Sequence, residues 1–75
     1  MDTLEELETS LKEQSHYTQG DIQPLDFIVS NKLDFREGNV VKYITRWKYK
    51  DGLKDLIKCR VYLDDLIEEQ GETAL

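Results

Sequence analysis

Asp34-Phe35-Arg36-Glu37-Gly38-Asn39-Val40-Val41-Lys42-Tyr43-Ile44-Thr45-Arg46-Trp47-Lys48-Tyr49-Lys50-Asp51-Gly52 is the stretch that decides the fold. An acid followed three residues later by Glu37 has the spacing of a capping box, so a helix is predicted to begin after Asp34. Val40, Val41, Ile44 and Trp47 then fall on one face, the expected core side. Asn39, Lys42, Tyr43, Arg46 and Lys50 form a second stripe at three- and four-residue steps. Asp51-Gly52 marks a tight turn. Beyond it, Leu56, Ile57, Leu63 and Ile67 recur at core spacing in a helix expected to run from Leu53 to Gly71. Two helices joined by a short turn make a hairpin.

Upstream, Leu4, Leu7 and Leu11 mark an acidic first helix that Asp2 or Thr3 can cap. Its apolar stripe is narrow, so it needs a neighbour to dock on. Ser15 to Gln23 reads as a loop. Pro24 suits the first turn of a short helix carrying Leu25, Phe27, Ile28 and Val29, which ends at Asn31-Lys32. No β-branched run alternates with period two. The predicted architecture is all-α, about four helices with a C-terminal hairpin. It divides into an acidic N-terminal helix (1–15), one helical domain (16–70) and a mobile tail (71–75).

A chain of 75 residues has a thin core. The single Cys59 closes no internal disulfide, and one Cys with His16 is too little for a zinc site. No metal is expected. Small domains often gain support from copies of themselves, so a homo-oligomer is expected. No run approaches a membrane span, the first residues lack the order of a signal peptide, and a lone thiol fits a reducing cytoplasm.

The net charge is −6, but it is unevenly spread. From Arg36 to Arg60 the balance is +5, against −6 before it and −5 after it. Overall acidity argues against long nucleic acids, while the basic segment suits a compact anion. Arg46 can fork a phosphate with Lys42 one turn away, Tyr43 offers a ring or hydroxyl, and Asn39 offers a polar edge. The alternative is a solvated face whose bases pair with nearby acids. Lys48, Lys50, Lys54 and Lys58 enlarge the cluster, with Asp51 and Asp55 as partial neutralisers. His16 and Tyr17 are either further ligand contacts or plain loop residues. Tyr62, Trp47 and Cys59 read more readily as core, and Asp64, Asp65, Glu68 and Glu69 as a solvated acidic face. No Walker loop or dinucleotide fingerprint is present.

His16-Tyr17, Ile22-Gln23-Pro24-Leu25-Asp26-Phe27-Ile28, Phe35 with Gly38-Asn39-Val40-Val41-Lys42-Tyr43 and Arg46, the Lys50-Asp51-Gly52 turn, and Asp55-Leu56-Ile57-Lys58-Cys59-Arg60-Val61-Tyr62-Leu63 together resemble a family of small bacteriophage proteins. That family is labelled as of unknown function or as phage nucleotide kinase-like. The resemblance runs from His16 to about Glu69. It implies a phage protein that binds or acts on nucleotides in the host bacterial cytoplasm. The signature positions it implies are His16, Tyr17, Asn39, Lys42, Tyr43, Arg46, Lys50, Asp55, Lys58 and Tyr62. The leading expectation is sequestration of a small nucleotide, with a cyclic dinucleotide immune signal as a candidate and no cofactor needed. The alternatives are a nucleoside monophosphate kinase or nucleotide hydrolase, which would bring in magnesium, and a protein–protein adaptor.

Overall fold

The computed structural model describes residues 3–14 and 22–71; His16, Tyr17 and residues 72–75 of the expected tail lie outside them. Four helices follow in order: α1 (Leu4–Gln14), α2 (Pro24–Ser30), α3 (Phe35–Arg46) and α4 (Leu53–Gln70). There is no strand among the described residues. The protein is a small all-α domain.

Each helix boundary has a local chemical cause. Thr3 caps α1, its Oγ1 accepting from the Glu6 N–H at 3.1 Å. Pro24 opens α2 where its missing N–H costs nothing. At the other end, Lys32 takes a positive φ of 56°. Its N–H donates to Val29 O, while the Leu33 N–H donates to Ile28 O. That pair of bonds is a Schellman closure, made here without glycine. The Asp34 capping box is complete: the Glu37 N–H donates to Oδ1 of Asp34 and the Asp34 N–H to Oε1 of Glu37, both at 2.9 Å. Gly52, at φ 57° and ψ −126°, lets the chain turn between α3 and α4 through a conformation that side chains disfavour.

α3 is the middle element. On one side α1 and α2 close a core of Leu7, Leu11 and Ile28, with Leu25, Leu33, Phe35 and Val41 packed around it. Gly38 permits the approach of α1: a Cβ there would lie 2.7 Å from Cδ2 of Leu7. The docking partner that the narrow stripe of α1 required is therefore α2 with α3.

On the other side α3 lies along α4 as the predicted hairpin, but with a different face inward. Asn39, Lys42, Tyr43 and Arg46 are buried, whereas Ile44 is exposed and Val40, Val41 and Trp47 are half-buried. In α4 the buried residues are Asp55 and Cys59, while Ile57, Leu63 and Ile67 are exposed. Of the apolar faces expected to form the hairpin core, Ile44, Ile57, Leu63 and Ile67 thus lie outside it, and Leu56, like Val40, Val41 and Trp47, is half-buried. The polar stripe goes inside because α4 offers it partners. Asp55 takes the Arg46 charge and Tyr62 meets Tyr43 ring to ring, so burial costs less than it would for unpaired groups.

Ion pairs clamp both ends of the hairpin. Arg46, at the end of α3, meets Asp55 at the start of α4. Arg36, at the start of α3, meets Asp65 at 3.1 Å and also Glu69 near the end of α4. The hydrogen bond it donates to Glu69 is the chief reason that the Arg36 guanidinium is held above its usual pKa. Two of the four acids read as a solvated face are therefore engaged, and by an arginine that no local sequence pattern marks out.

Candidate functional site

The inward face of α3 follows three- and four-residue steps. Asn39, Lys42, Tyr43 and Arg46 fall on successive turns, so one helix surface aims all four side chains at α4. Asp55, on the first turn of α4, receives Arg46. Nε of Arg46 donates to Oδ2 of Asp55 at 3.0 Å and Nη2 donates to Oδ1 at 2.9 Å, a two-pronged bond. The Asp51 N–H adds a contact to Oδ2 at 3.3 Å, and the Asp51 carboxylate lies 3.5 Å from Nη2 of Arg46.

Asp55 is 0 % exposed. Burial alone would raise its pKa. The hydrogen bonds from Arg46 and the Asp51 backbone, with the charges of Arg46 and Lys58, outweigh burial and hold the carboxyl below the usual range. Among the described residues it is the one buried carboxylate.

Tyr43 sits at the centre of a cation cluster. Nζ of Lys42 is 4.9 Å from its ring centroid, Cζ of Arg46 is 4.8 Å away, and Nζ of Lys58 is 5.4 Å away. The Tyr62 ring lies nearly parallel to it, 12° between planes and 6.1 Å between centroids. Phe35 completes this aromatic group, edge-on to Tyr62 at 5.8 Å. Burial, and then Tyr62, push the Tyr43 hydroxyl pKa up.

Lys42 is 2 % exposed. Burial, then the neighbouring charges of Arg46 and Lys58, pull its ammonium down to about 8; Asp55 works against this and Lys50 with it. Lys42 and Lys50 both have further interactions within the chain.

The sequence-derived candidates are therefore distributed in depth. Lys42, Tyr43, Arg46 and Asp55 form one buried group, Tyr62 is half-buried against it, and Lys50 and Lys58 are exposed at its edge. Asn39 is fully buried; its Nδ2 donates to Phe35 O at 2.9 Å, and its Oδ1 makes no hydrogen bond among the described residues. It faces the hairpin interior and offers no edge to solvent. Cys59, buried as expected, directs Sγ at Val40 O from 3.6 Å, and burial raises its thiol pKa. No group of three or more His, Cys, Asp or Glu suited to a metal occurs among the described residues, and no described helix is long and apolar enough to cross a membrane.

Comparison with known proteins gives one family: a model described as a protein of unknown function, DUF3310, matches residues 11–64. The match takes in the last turn of α1, all of α2 and α3, and two-thirds of α4. Comparisons with curated proteins and with solved structures find no match.

Proposed function

The chain belongs to the DUF3310 family, and from that premise we propose that it is a binding protein for a small phosphorylated ligand, a nucleotide, held over the α3–α4 cation cluster. One observation carries the reading. Three cations converge within 5.4 Å of the Tyr43 ring, with the buried Asp55 carboxylate and the exposed Asp51 carboxylate both on the Arg46 side. A phosphate joining the cluster would relieve repulsion among charges already fixed in place, which makes the site pre-organised for an anion. The reachable groups are Lys50 and Lys58 for phosphate and the half-buried Tyr62 for a base. Lys42 and Arg46 act from beneath, through their charge.

This reading includes the phage origin and nucleotide-related role that the sequence resemblance implies, with sequestration of a cyclic dinucleotide in the host cytoplasm as its most specific form. The test follows from the burial pattern. Arg46→Ala would open the buried ion pair and confound folding with binding, so the variants of choice are the exposed Lys50→Gln and Lys58→Gln. Calorimetry of the full chain against mononucleotides and cyclic dinucleotides is expected to give binding that the double variant weakens at least about tenfold, or about 1.4 kcal/mol. Unchanged affinity in the double variant would place the ligand elsewhere. No binding across the panel would leave the adaptor as the better reading. Labelled nucleotides incubated with magnesium separate the kinase alternative: new phosphorylated species support turnover, and unchanged ligand supports sequestration.

A further inference from the structure

α4 has two long faces, and only one is used by the hairpin. Asp55, Cys59 and Tyr62 point toward α3. The opposite side carries Leu53, Ile57, Val61, Leu63 and Ile67, all exposed, Leu53 at 70 % and Val61 at 57 %. Large apolar side chains running the length of an 18-residue helix, about 27 Å, form a surface of the kind that marks an interface. Leu53, Leu56, Leu63 and Ile67 follow the three-and-four spacing of a helix–helix seam, with Arg60 as its one charged position.

The charges on and beside this face identify its occupant. Lys54 and Arg60 lie in the first half of α4, and Asp64 and Glu68 in the second. None of the four forms an ion pair among the described residues. We infer that the exposed face of α4 pairs with the same face of a second copy of this chain, antiparallel, about a two-fold axis level with Tyr62. Residues equally far from that level then lie opposite one another, so each Arg60 meets the Asp64 of the other copy. The basic half of each α4 thus lies against the acidic half of the other, twice over. Parallel pairing would set like charge on like. An isologous contact of this kind is self-complementary and closes at two subunits, and it buries Leu53, Leu63 and Ile67, which the hairpin leaves exposed. It also gives the thin core its missing support without involving the ligand site, so it stands apart from the proposed function.

The test needs no nucleotide. Sedimentation equilibrium and native mass spectrometry of the full chain are expected to show a dimer, or an assembly built in steps of two. Ile57→Glu with Leu63→Glu, both at exposed positions, is expected to weaken pairing about 100-fold or more, with helical content unchanged by circular dichroism. A monomer at every concentration, or an assembly that survives this double variant, would overturn the inference. Orientation is read from cross-linking in a Cys59→Ala background. Ile57→Cys and Ile67→Cys proteins, mixed, are expected to form a disulfide with each other far faster than either forms with itself. Self-cross-linking of each variant alone at the greater rate would overturn the antiparallel arrangement. A spectrum in which Ile57→Glu with Leu63→Glu loses helix would show that this face is needed within the subunit, which also overturns the inference.

Discussion

Removing the Asp55 carboxylate tests the hairpin most directly. Asp55→Asn keeps the side chain's shape but takes the two-pronged partner from buried Arg46, leaving the more exposed Asp51 carboxylate at 3.5 Å as a weaker counter-charge beside Lys42 and Lys58. Breaking one partner of a buried pair costs about 3–5 kcal/mol. A chain of 75 residues has a total stability of about 4–11 kcal/mol at ordinary values per residue. The variant is therefore expected to lose about a quarter or more of its stability, and a weakly stable protein would unfold outright. Urea unfolding followed by circular dichroism measures this, with the slope reporting whether the unfolded state has changed. The informative comparison is the double variant Arg46→Met with Asp55→Leu, which removes both charges and fills the space with apolar atoms. It is expected to be more stable than either single variant, because no lone charge remains. The same pair also sets acid stability. The folded carboxyl holds its proton less tightly than the unfolded one, so its contribution is complete above the unfolded value of about 4 and is lost as pH falls through the lower folded value. Asp55→Asn should flatten that acid limb. If Asp55→Asn cost less than about 1 kcal/mol, or if the double variant cost the sum of the singles, the buried pair would not be what organises the hairpin.

Other positions give three more expected outcomes. Lys42 has a folded pKa of about 8, below its unfolded value, so the unfolded state binds more protons between pH 8 and about 10 and stability should rise across that window; Lys42→Met should abolish the rise in unfolding midpoint. Gly52→Ala places a Cβ on a backbone at φ 57° and ψ −126° and should cost about 1–3 kcal/mol in urea unfolding, although no atom lies near enough to clash. Cys59 should react with a maleimide far more slowly in the folded chain than in urea, since burial both covers the thiol and raises its pKa; equal rates would mean that the hairpin interior is open.

The helix boundaries were legible in the sequence because each depends on a few adjacent residues: the Asp34–Glu37 box, Pro24, Asn31-Lys32 and the Asp51-Gly52 turn are all where local chemistry puts them. Which face of each hairpin helix points inward was not legible. Counting apolar residues favoured Val40, Val41, Ile44 and Trp47 on α3 and Leu56, Ile57, Leu63 and Ile67 on α4. Burying Arg46 is favourable only because Asp55 waits on another helix, and no periodicity within α3 reports that. Of the candidate site, the residue identities were legible and their depth was not. Lys42, Tyr43 and Arg46 do converge, but within the hairpin, with Asp55 and Tyr62, and among the described candidates Lys50 and Lys58 are the exposed ones. Arg36 escaped notice because its partners, Asp65 and Glu69, are about thirty residues away.

The spacing of the two clamps has its own consequence. Arg36 and Arg46 are ten residues apart on α3, and Asp55 and Asp65 are ten residues apart on α4. Both intervals span about 15 Å of helix, so one alignment of the hairpin satisfies both pairs. Packed helices can often slide by a turn at small cost, and a chain with few core residues has little apolar interlocking to resist it. Here a slip of one turn would part both arginines from these aspartates together; Glu69, one turn beyond Asp65, could still hold Arg36, so it is the buried Arg46–Asp55 pair that acts as the ruler for the hairpin.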